Sequence, residues 1–596
     1  MRETHEIVWP GPARGWVTTG NVATSPLDAA DRLDNFFPTA EGAELRHGSE
    51  KHATLGATCA RFMAHRYGSP QTLYGCTAAD IYDITTPAST TTTPTATMTG
   101  LGSGDWAHIQ FGNAAGTFMI GVNGTDWGVF HDGTDLEPLC DETIYNLGYD
   151  ALTAAFAVGG TVTGGTSAAT AEIMAIMPTS ATAGTLKLGA ITGTFQDNET
   201  ITDGATGSAT SNIPTGTSTA HTTAITGVET KALSQVWVWK QRAFFVEGGT
   251  QSIWYLPVDS IGGAASEINL GSIFNLGGNV LFGANWSLDS GEGLDDKLVV
   301  VTDQGEVAVY GGTDPASAST FTLDGVYRTG DPVDKHGFFS VGGELMIVTR
   351  DGIVAMSQLI ARDRASTLRS AMSAPIEDVW QTVMSSTNAS AAFPPVVAYW
   401  PTKGRLYVAS PVEFESKAAS FVANTRTGAW ARYVGWDIRS AIIVDDLLYF
   451  GADGGVVYQG ETSGADDGSA YTGVYIPKFS DCGTPHIKVA NHVAIVSRTA
   501  AGMTFAAKVL RDFQTAEIVA PQPIAAAGTS SVWGTAVWGA FIWGQELPEV
   551  GSTKWKSVGA NGHYLSPAIA ITANQVAAPD VDVTAVKMRF EVGRAF

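Results

Sequence analysis

Charge is scarce in this sequence: Asp, Glu, Lys and Arg together make up 15% of its 596 residues. Basic charge is scarcer still, with 34 Lys and Arg against 58 Asp and Glu, for a formal net charge of −24. There is no basic stripe to hold phosphates by counterion release, which argues against a DNA-binding protein. The same negative charge suits a surface that nucleic acid slides past without sticking, and it equally suits plain solubility. Cysteine is limited to Cys59, Cys76, Cys140 and Cys482, far apart, with no C-x-x-C pair and no Cys/His spacing suited to zinc. They read as reduced, buried thiols of a protein made in a cytosol. The opening MRETHEIVWPGPARG has no apolar h-region, and no run of 18 apolar residues occurs, so neither a signal peptide nor a membrane span is expected. Also missing are the G-x-S-x-G elbow, H-E-x-x-H and the Walker G-x-x-x-x-G-K, the motifs with the most specific chemistry.

What is abundant is glycine, 68 residues, set among Thr, Ala and Val. That mix suits short strands and tight turns and is poor for long amphipathic helices. One pattern recurs seven times: an apolar run, a polar turn with Gly, Asp or Asn, and a second alternating run. It begins at Thr72, Thr117, Ala243, Leu298, Leu345, Leu406 and Leu447, as in LVVVTDQGEVAVY and LLYFGADGGVVYQG. Turn Gly or Asn supplies the positive φ that a hairpin requires, and the alternation gives each hairpin one apolar face. Successive copies lie 47 residues apart from Leu298 to Leu345 and 42 apart from Leu406 to Leu448, within the span of a four-stranded blade. A single blade cannot bury both faces, so blades stack around an axis. The expected fold is all-β: a β-propeller of six to eight blades over roughly residues 30 to 475, with an N-terminal arm and first blades in 1–150 and the remaining blades in 229–475.

The interval between the second and third copies is too long, and the surplus falls at residues 151–228. Aromatics nearly vanish there, and GTVTGGTSAATAEI from Gly160 resembles ETITDGATGSATSNI from Glu199. A small inserted β domain is expected, with Val162, Ile173, Leu186, Leu188, Ile191, Phe195 and Ile201 as its thin core. Residues 476–596 read as a separate C-terminal β-rich domain that closes back on the propeller. One helix is expected at IEDVWQTVMSST from Ile376, with Val379, Trp380 and Val383 on one face.

Candidates for chemistry are few. GLGSG at Gly100 precedes a strand, whereas a phosphate cradle needs a helix N-terminus. SLDSGEGL at Ser287 has the skeleton of a sialidase turn, but once only and with Leu294 where an aromatic belongs; glycosidases also need two carboxylates at a set gap. Asp303, Asp351 and Asp453 serve their hairpin turns. GADDGSAYTG at Gly464 lacks the alternating ligands of a calcium loop. His47, His52, His65, His108 and His131 share no facial spacing and read as satisfied structural residues. The expectation is therefore no catalytic residue, no metal and no cofactor.

The densest aromatic stretch is SVWGTAVWGAFIWG, with Trp533, Trp538 and Trp543 each before a glycine at intervals of five, fitting neither strand nor helix. Such rings act as adhesive, either sealing the last domain onto the propeller or forming a seam between subunits. The opening GNVATSPLDAADRLDNFFPTAEGAELRHGSEKHA carries N-F-F-P (Asn35, Phe36, Phe37, Pro38) and R-x-G (Arg46, His47, Gly48). With the W-G repeats, KWKSVGANGHYLSPAI and the closing FEVGRAF, it resembles the nozzle (tail tubular protein B, tail stabilisation) family of short-tailed bacteriophages. The resemblance implies a structural virion protein. It would form a homohexameric tube below the portal-adaptor ring, bearing tail fibres or spikes and passing double-stranded DNA without specific binding. It would be located in the virion after assembly in the host cytoplasm. A trimeric receptor-binding fibre or spike and a propeller glycosidase acting on host polysaccharide are the alternatives.

Overall fold

The computed structural model describes residues 4–20, 25–68, 71–87, 93–212, 217–289, 294–317, 319–362, 364–386, 394–415, 417–499, 505–514, 518–519, 549–550 and 555–593. The chain is all-β in its bulk, built of several sheets. From Arg61 to Gly464 the hydrogen bonding resolves into seven short antiparallel meanders. Their first strands are Arg61–His65, Ala107–Asn113, Leu233–Trp239, Val280–Asp289, Phe338–Val341, Val396–Trp400 and Ser440–Val444. Each meander has apolar side chains on both faces, so neither face is stable in water and each packs on a neighbour.

Seven separate apolar clusters fill seven seams. The first and second sheets share Met63, Trp106 and Met119, the second and third Phe111, Ile120 and Phe245, and the third and fourth Trp239, Phe244 and Val300. The fourth and fifth share Phe282, Val301 and Ile347, the fifth and sixth Val348, Ile353 and Leu406, and the sixth and seventh Tyr407, Trp436 and Phe450. The last cluster, with Phe62, Leu73 and Ile442, joins the seventh sheet to the first. The order of packing is therefore cyclic. The seventh sheet has three strands of its own, and its fourth is Gly48–Thr54, which pairs with Val456–Gly464 and so comes from the opposite end of the chain.

Between the second and third sheets, six strands close a small barrel. The strand Ile144–Ala154 pairs with both Gly184–Leu188 and Ser208–Ser211, Thr170–Pro178 pairs with Gly184–Leu188 and Thr161–Gly164, and Thr161–Gly164 returns through Thr200–Thr202 to Ser208–Ser211. The two similar sequence arcs are its two hairpins, joined edge to edge at Thr163↔Thr202 and Gly164↔Ile201. Val162, Ile173, Leu186, Leu188, Phe195 and Ile201 are buried together with Ile191 packed against them. Closure matters because such a thin core leaves no spare stability for exposed edges. The barrel's first strand already begins at Ile144, since its eleven residues serve both neighbours.

Strands from both ends of the chain form a two-sheet sandwich. One sheet is centred on Val581–Val592, flanked by Thr4–Pro10 and Lys488–Thr499; the other continues the sixth sheet, from Ala429–Tyr433 across the parallel bridge Asp34↔Arg432 to Ala30–Asp34, then Tyr471–Pro477, Leu565–Ala573 and Ala506–Arg511. Residues 30–45, expected in the ring, lie here instead, because Leu33, Phe36 and Leu45 complete the core around Tyr475, Ile495 and Ile569. The helix Glu377–Ser386 follows the fifth sheet and buries Val379, Trp380, Val383 and Met384 in the same core; the Trp380 indole donates to Thr349 O at 3.1 Å.

Candidate functional site

The N-F-F-P and R-x-G residues meet at the joint between sandwich and ring. Asn35 has a positive φ of 57°, a conformation that Asn tolerates better than most residues. Its Oδ1 accepts from Arg46 Nε at 2.9 Å and from Val434 N at 2.7 Å, while Nδ2 donates to Thr472 O at 2.9 Å. One side chain thus ties three segments distant in sequence. Phe36 enters the sandwich core and Phe37 the seam between sixth and seventh sheets, where the Arg405 guanidinium lies 4.2 Å over its ring.

Arg46 is fully buried. Its guanidinium donates to Asp466 Oδ1 (2.9 Å), Asp466 Oδ2 (2.6 Å), His47 O (2.9 Å) and Val434 O (3.2 Å). It also lies 4.1, 4.6 and 5.5 Å from the ring centres of Tyr471, Trp436 and Tyr433. Burial pulls its pKa down, yet the Asp466 hydrogen bonds and charge outweigh it and the pKa stays above the ordinary arginine value. Gly48 is required for a different reason: a Cβ there would stand 2.0 Å from Ala465 O.

A second buried layer backs the first. Glu461, with a fully buried side chain, pairs with Arg405 Nη1 at 2.7 Å and accepts from Tyr407 Oη at 3.2 Å and His47 N at 3.2 Å. Burial alone would raise its pKa, but Arg405 above all holds it below the usual carboxylate value. Arg432 and Asp34, both buried, form a two-pronged pair at 2.9 and 3.1 Å. A cavity of about 600 Å³ opens beside this joint, bordered by Arg32, Asp34, Trp436, Asp437, Asp466 and Tyr471. The carboxylates of Asp34, Asp437 and Asp466 accept hydrogen bonds from Arg432, Arg439 and Arg46, which ties the joint together.

A second cavity, about 510 Å³, is lined by residues from the first strands of all seven sheets, among them Phe62, His108, Val236, Ala284, Phe338, Val397 and Ile442. Its amide side chains stitch neighbouring sheets: Gln110 Nε2 donates to Ala64 O (2.6 Å), and Asn285 Nδ2 donates to Val238 O (2.6 Å). An ionic cluster joins the first two sheets to the fifth. Arg61 contacts Asp105 at 2.9 Å and Asp334 at 2.8 Å, and Lys335 and His336 reach Asp105 at 3.1 and 3.2 Å. The fifth sheet shares no apolar seam with the first two, so the cluster ties together sheets that do not otherwise pack on each other. Burial would push the Asp105 pKa up, but His336, Arg61 and Lys335 hold it far below the carboxylate range.

The other sequence candidates are held in structural contacts. The GLGSG loop gives its Gly102 and Ser103 N–H groups to the Asp126 carboxylate at 2.8 and 3.0 Å, where a phosphate would otherwise sit. In SLDSGEGL, Ser287 Oγ donates to Asp296 Oδ1 at 2.5 Å. Asp303 accepts from Asn279 N at 3.1 Å, and Asp453 from Thr58 Oγ1 at 3.1 Å. Asp466, within GADDGSAYTG, serves Arg46. Of the five histidines only His65 and His131 come together, as a stacked pair. Cys59, Cys76 and Cys140 are buried free thiols and Cys482 is half-buried. Among the described residues no cluster of His, Cys, Asp and Glu fits a metal ion, and no helix is long and apolar enough to cross a membrane. Trp533, Trp538 and Trp543 lie outside the described residues. Glu461, Arg405 and Arg61 leave one signal in the sequence, a lone charged residue inside an apolar strand.

No known protein family and no curated protein matches the chain. Among solved structures it is similar to Raptor from Chaetomium thermophilum at 10% identity and a TM-score of 0.30, over 70% of this chain and 29% of that one. It is similar to YCF48 from Cyanidioschyzon merolae at 10% identity and a TM-score of 0.26, over 70% and 98%. A third similarity is to the β-propeller domain of Cps50 (Swd1) from Myceliophteria thermophila, at 9% and 0.25, over 70% and 99%. At these TM-scores the likenesses carry no argument about this chain.

Proposed function

We propose that the seven cyclically packed sheets are the blades of a β-propeller, and that the chain is the tail nozzle of a short-tailed bacteriophage. It is a non-enzymatic virion protein without cofactor, assembling as a homohexamer below the portal-adaptor ring and carrying fibres or spikes. The observation that carries this reading is where the family-like residues fall. Asn35, Phe36, Arg46 and Gly48 from one end of the chain, and Lys556 to Ile569 and Phe590 to Val592 from the other, belong to one sandwich and its joint to the sheets of the propeller. A resemblance spread over both ends thus corresponds to a single built unit.

Arg61, Asp105, Asp334 and Lys335 form an ionic brace between sheets of a single copy, so the proposed genome path does not run through one copy. Passage then requires a channel between copies, and a closed ring of heterologous contacts provides one. With a net charge of −24, such a channel would repel the phosphates it guides. Negative-stain microscopy of the purified protein, alone and with its adaptor ring, tests the reading. Six-fold rings with a central hole are expected; a three-fold rod would overturn the nozzle in favour of a fibre or spike. Release of reducing sugar from host capsule, abolished by changing one Asp pair, would overturn it in favour of a glycosidase.

A further inference from the structure

His65 ends the first strand of the first sheet and His131 ends the third strand of the second, Gly128–His131. Their rings stack with centroids 4.3 Å apart and planes 20° apart, and the two residues are 1% and 2% exposed. Each ring is fixed by one backbone bond. His65 Nε2 faces Thr117 O at 3.0 Å, so that nitrogen carries the proton; His131 Nδ1 accepts from Gly133 N at 2.9 Å, so that nitrogen is bare. The geometry therefore selects the neutral form of His131, with its proton on Nε2.

A proton added at His131 Nδ1 removes the acceptor of the Gly133 N–H and places a cation against the face of a second imidazole. The surrounding groups oppose this only in part. Asp132 and Asp135 in the turn after His131, and Asp83 on the first sheet, favour a cation, while Tyr74 and Tyr67 face the pair with rings and Arg66 follows His65 directly. Burial, then His65, outweighs the three carboxylates, and His131 is held below the ordinary histidine value.

We propose that the His65–His131 stack is an acid-sensitive joint that holds the first and second sheets together while the His131 ring is neutral and loosens their seam when His131 takes up a proton. The test is hydrogen exchange by mass spectrometry on the full chain at pH 7.5 and 5.5, corrected for intrinsic rates. It follows peptides spanning 116–122 and 128–134, with 233–239 and 280–289, a seam without histidine, as the reference. In the native protein the first pair is expected to exchange about tenfold faster at pH 5.5 while the reference holds. His131→Asn keeps an acceptor for the Gly133 N–H as an Asx turn but does not titrate, so its exchange at these peptides should not respond to pH. His65→Gln keeps a donor for Thr117 O and should reduce the response; it carries the test if the first variant fails to fold. Unchanged protection in the native protein, or an acid response in both variants equal to the native one, would overturn the proposal.

Discussion

Replacing Arg46 with methionine isolates the joint between sandwich and ring. The methionine keeps most of the apolar stem and removes five donors and one charge. Asp466 is left with the Trp436 indole N–H at 3.0 Å and the Ser49 hydroxyl at 3.4 Å, its side chain 19% exposed. Removing one partner of a buried ion pair costs about 3–5 kcal/mol, because the other charge stays behind without compensation. Loss of three cation–π contacts adds ~0.5–2 kcal/mol in all, since contacts sharing one guanidinium are not independent. The sum is about 3.5–7 kcal/mol, and for a cooperative unit of roughly 150–250 residues each kcal/mol moves Tm by ~2–4 °C. The Tm followed by near-ultraviolet circular dichroism should therefore fall by about 7–28 °C. Adding Asp466→Asn should return ~1 kcal/mol or more by removing the stranded charge. Arg14→Ala, which breaks a pair with side chains 62% and 35% exposed, serves as reference and should cost under ~1 kcal/mol. A shift for Arg46→Met no larger than that of the reference, or no recovery in the double variant, would refute the reasoning.

Gly48→Ala should cost several degrees of Tm or prevent folding, since the new methyl meets backbone and not a movable side chain; soluble, native-like protein would contradict the close approach. Acid should destabilise the chain. His108 is pushed down to about 3, by burial first and then by Arg66 and His336, and His52, His221 and His336 are also lowered, with burial the first cause in each. The unfolded chain then binds protons first, near pH 6.5, so stability is whole above that and is lost as pH falls toward 3, by up to ~1.4 kcal/mol per pH unit per histidine. A Tm that stays flat from pH 7 to 5 would contradict this. Glu199→Gln should weaken the barrel by about 2–3 kcal/mol, because the carboxylate accepts from Thr166 N, Ser167 N and Gln196 N; it is checked by proteolysis confined to residues 144–211. If the proposed hexamer forms, the triple change of Trp533, Trp538 and Trp543 to Ala should shift it toward smaller species in analytical ultracentrifugation, and unaltered assembly would remove those rings from its proposed seam.

Much of the architecture is written in local pattern. Hairpins such as Leu298–Thr302 with Glu306–Gly312 announce themselves because alternation and turn glycine act within a dozen residues. The barrel core from Val162 to Ile201 was legible for the same reason. Pairing across hundreds of residues was not. Nothing in GSEKHAT at Gly48 states that its partner is Val456–Gly464, and nothing in RLDNFF states that Leu33 and Phe36 belong with Ile569. Register with a distant strand depends on which apolar surface remains uncovered once everything else has packed. The joint was half legible. Asn35 and Arg46 stood out as motif residues, but their partners Asp466, Val434 and Thr472 look like ordinary turn and strand residues until the chain is folded.

The pairing of Thr4–Pro10 with Val581–Val592, and of Gly48–Thr54 with Val456–Gly464, has a kinetic price. Contacts this far apart give a high contact order, so the last events on the folding route are also the ones that close the structure. Thr4–Pro10 meets its partner strand more than five hundred residues further along the chain, and Gly48–Thr54 about four hundred. Folding is therefore expected to be slow, with apolar strands exposed to association in the interval.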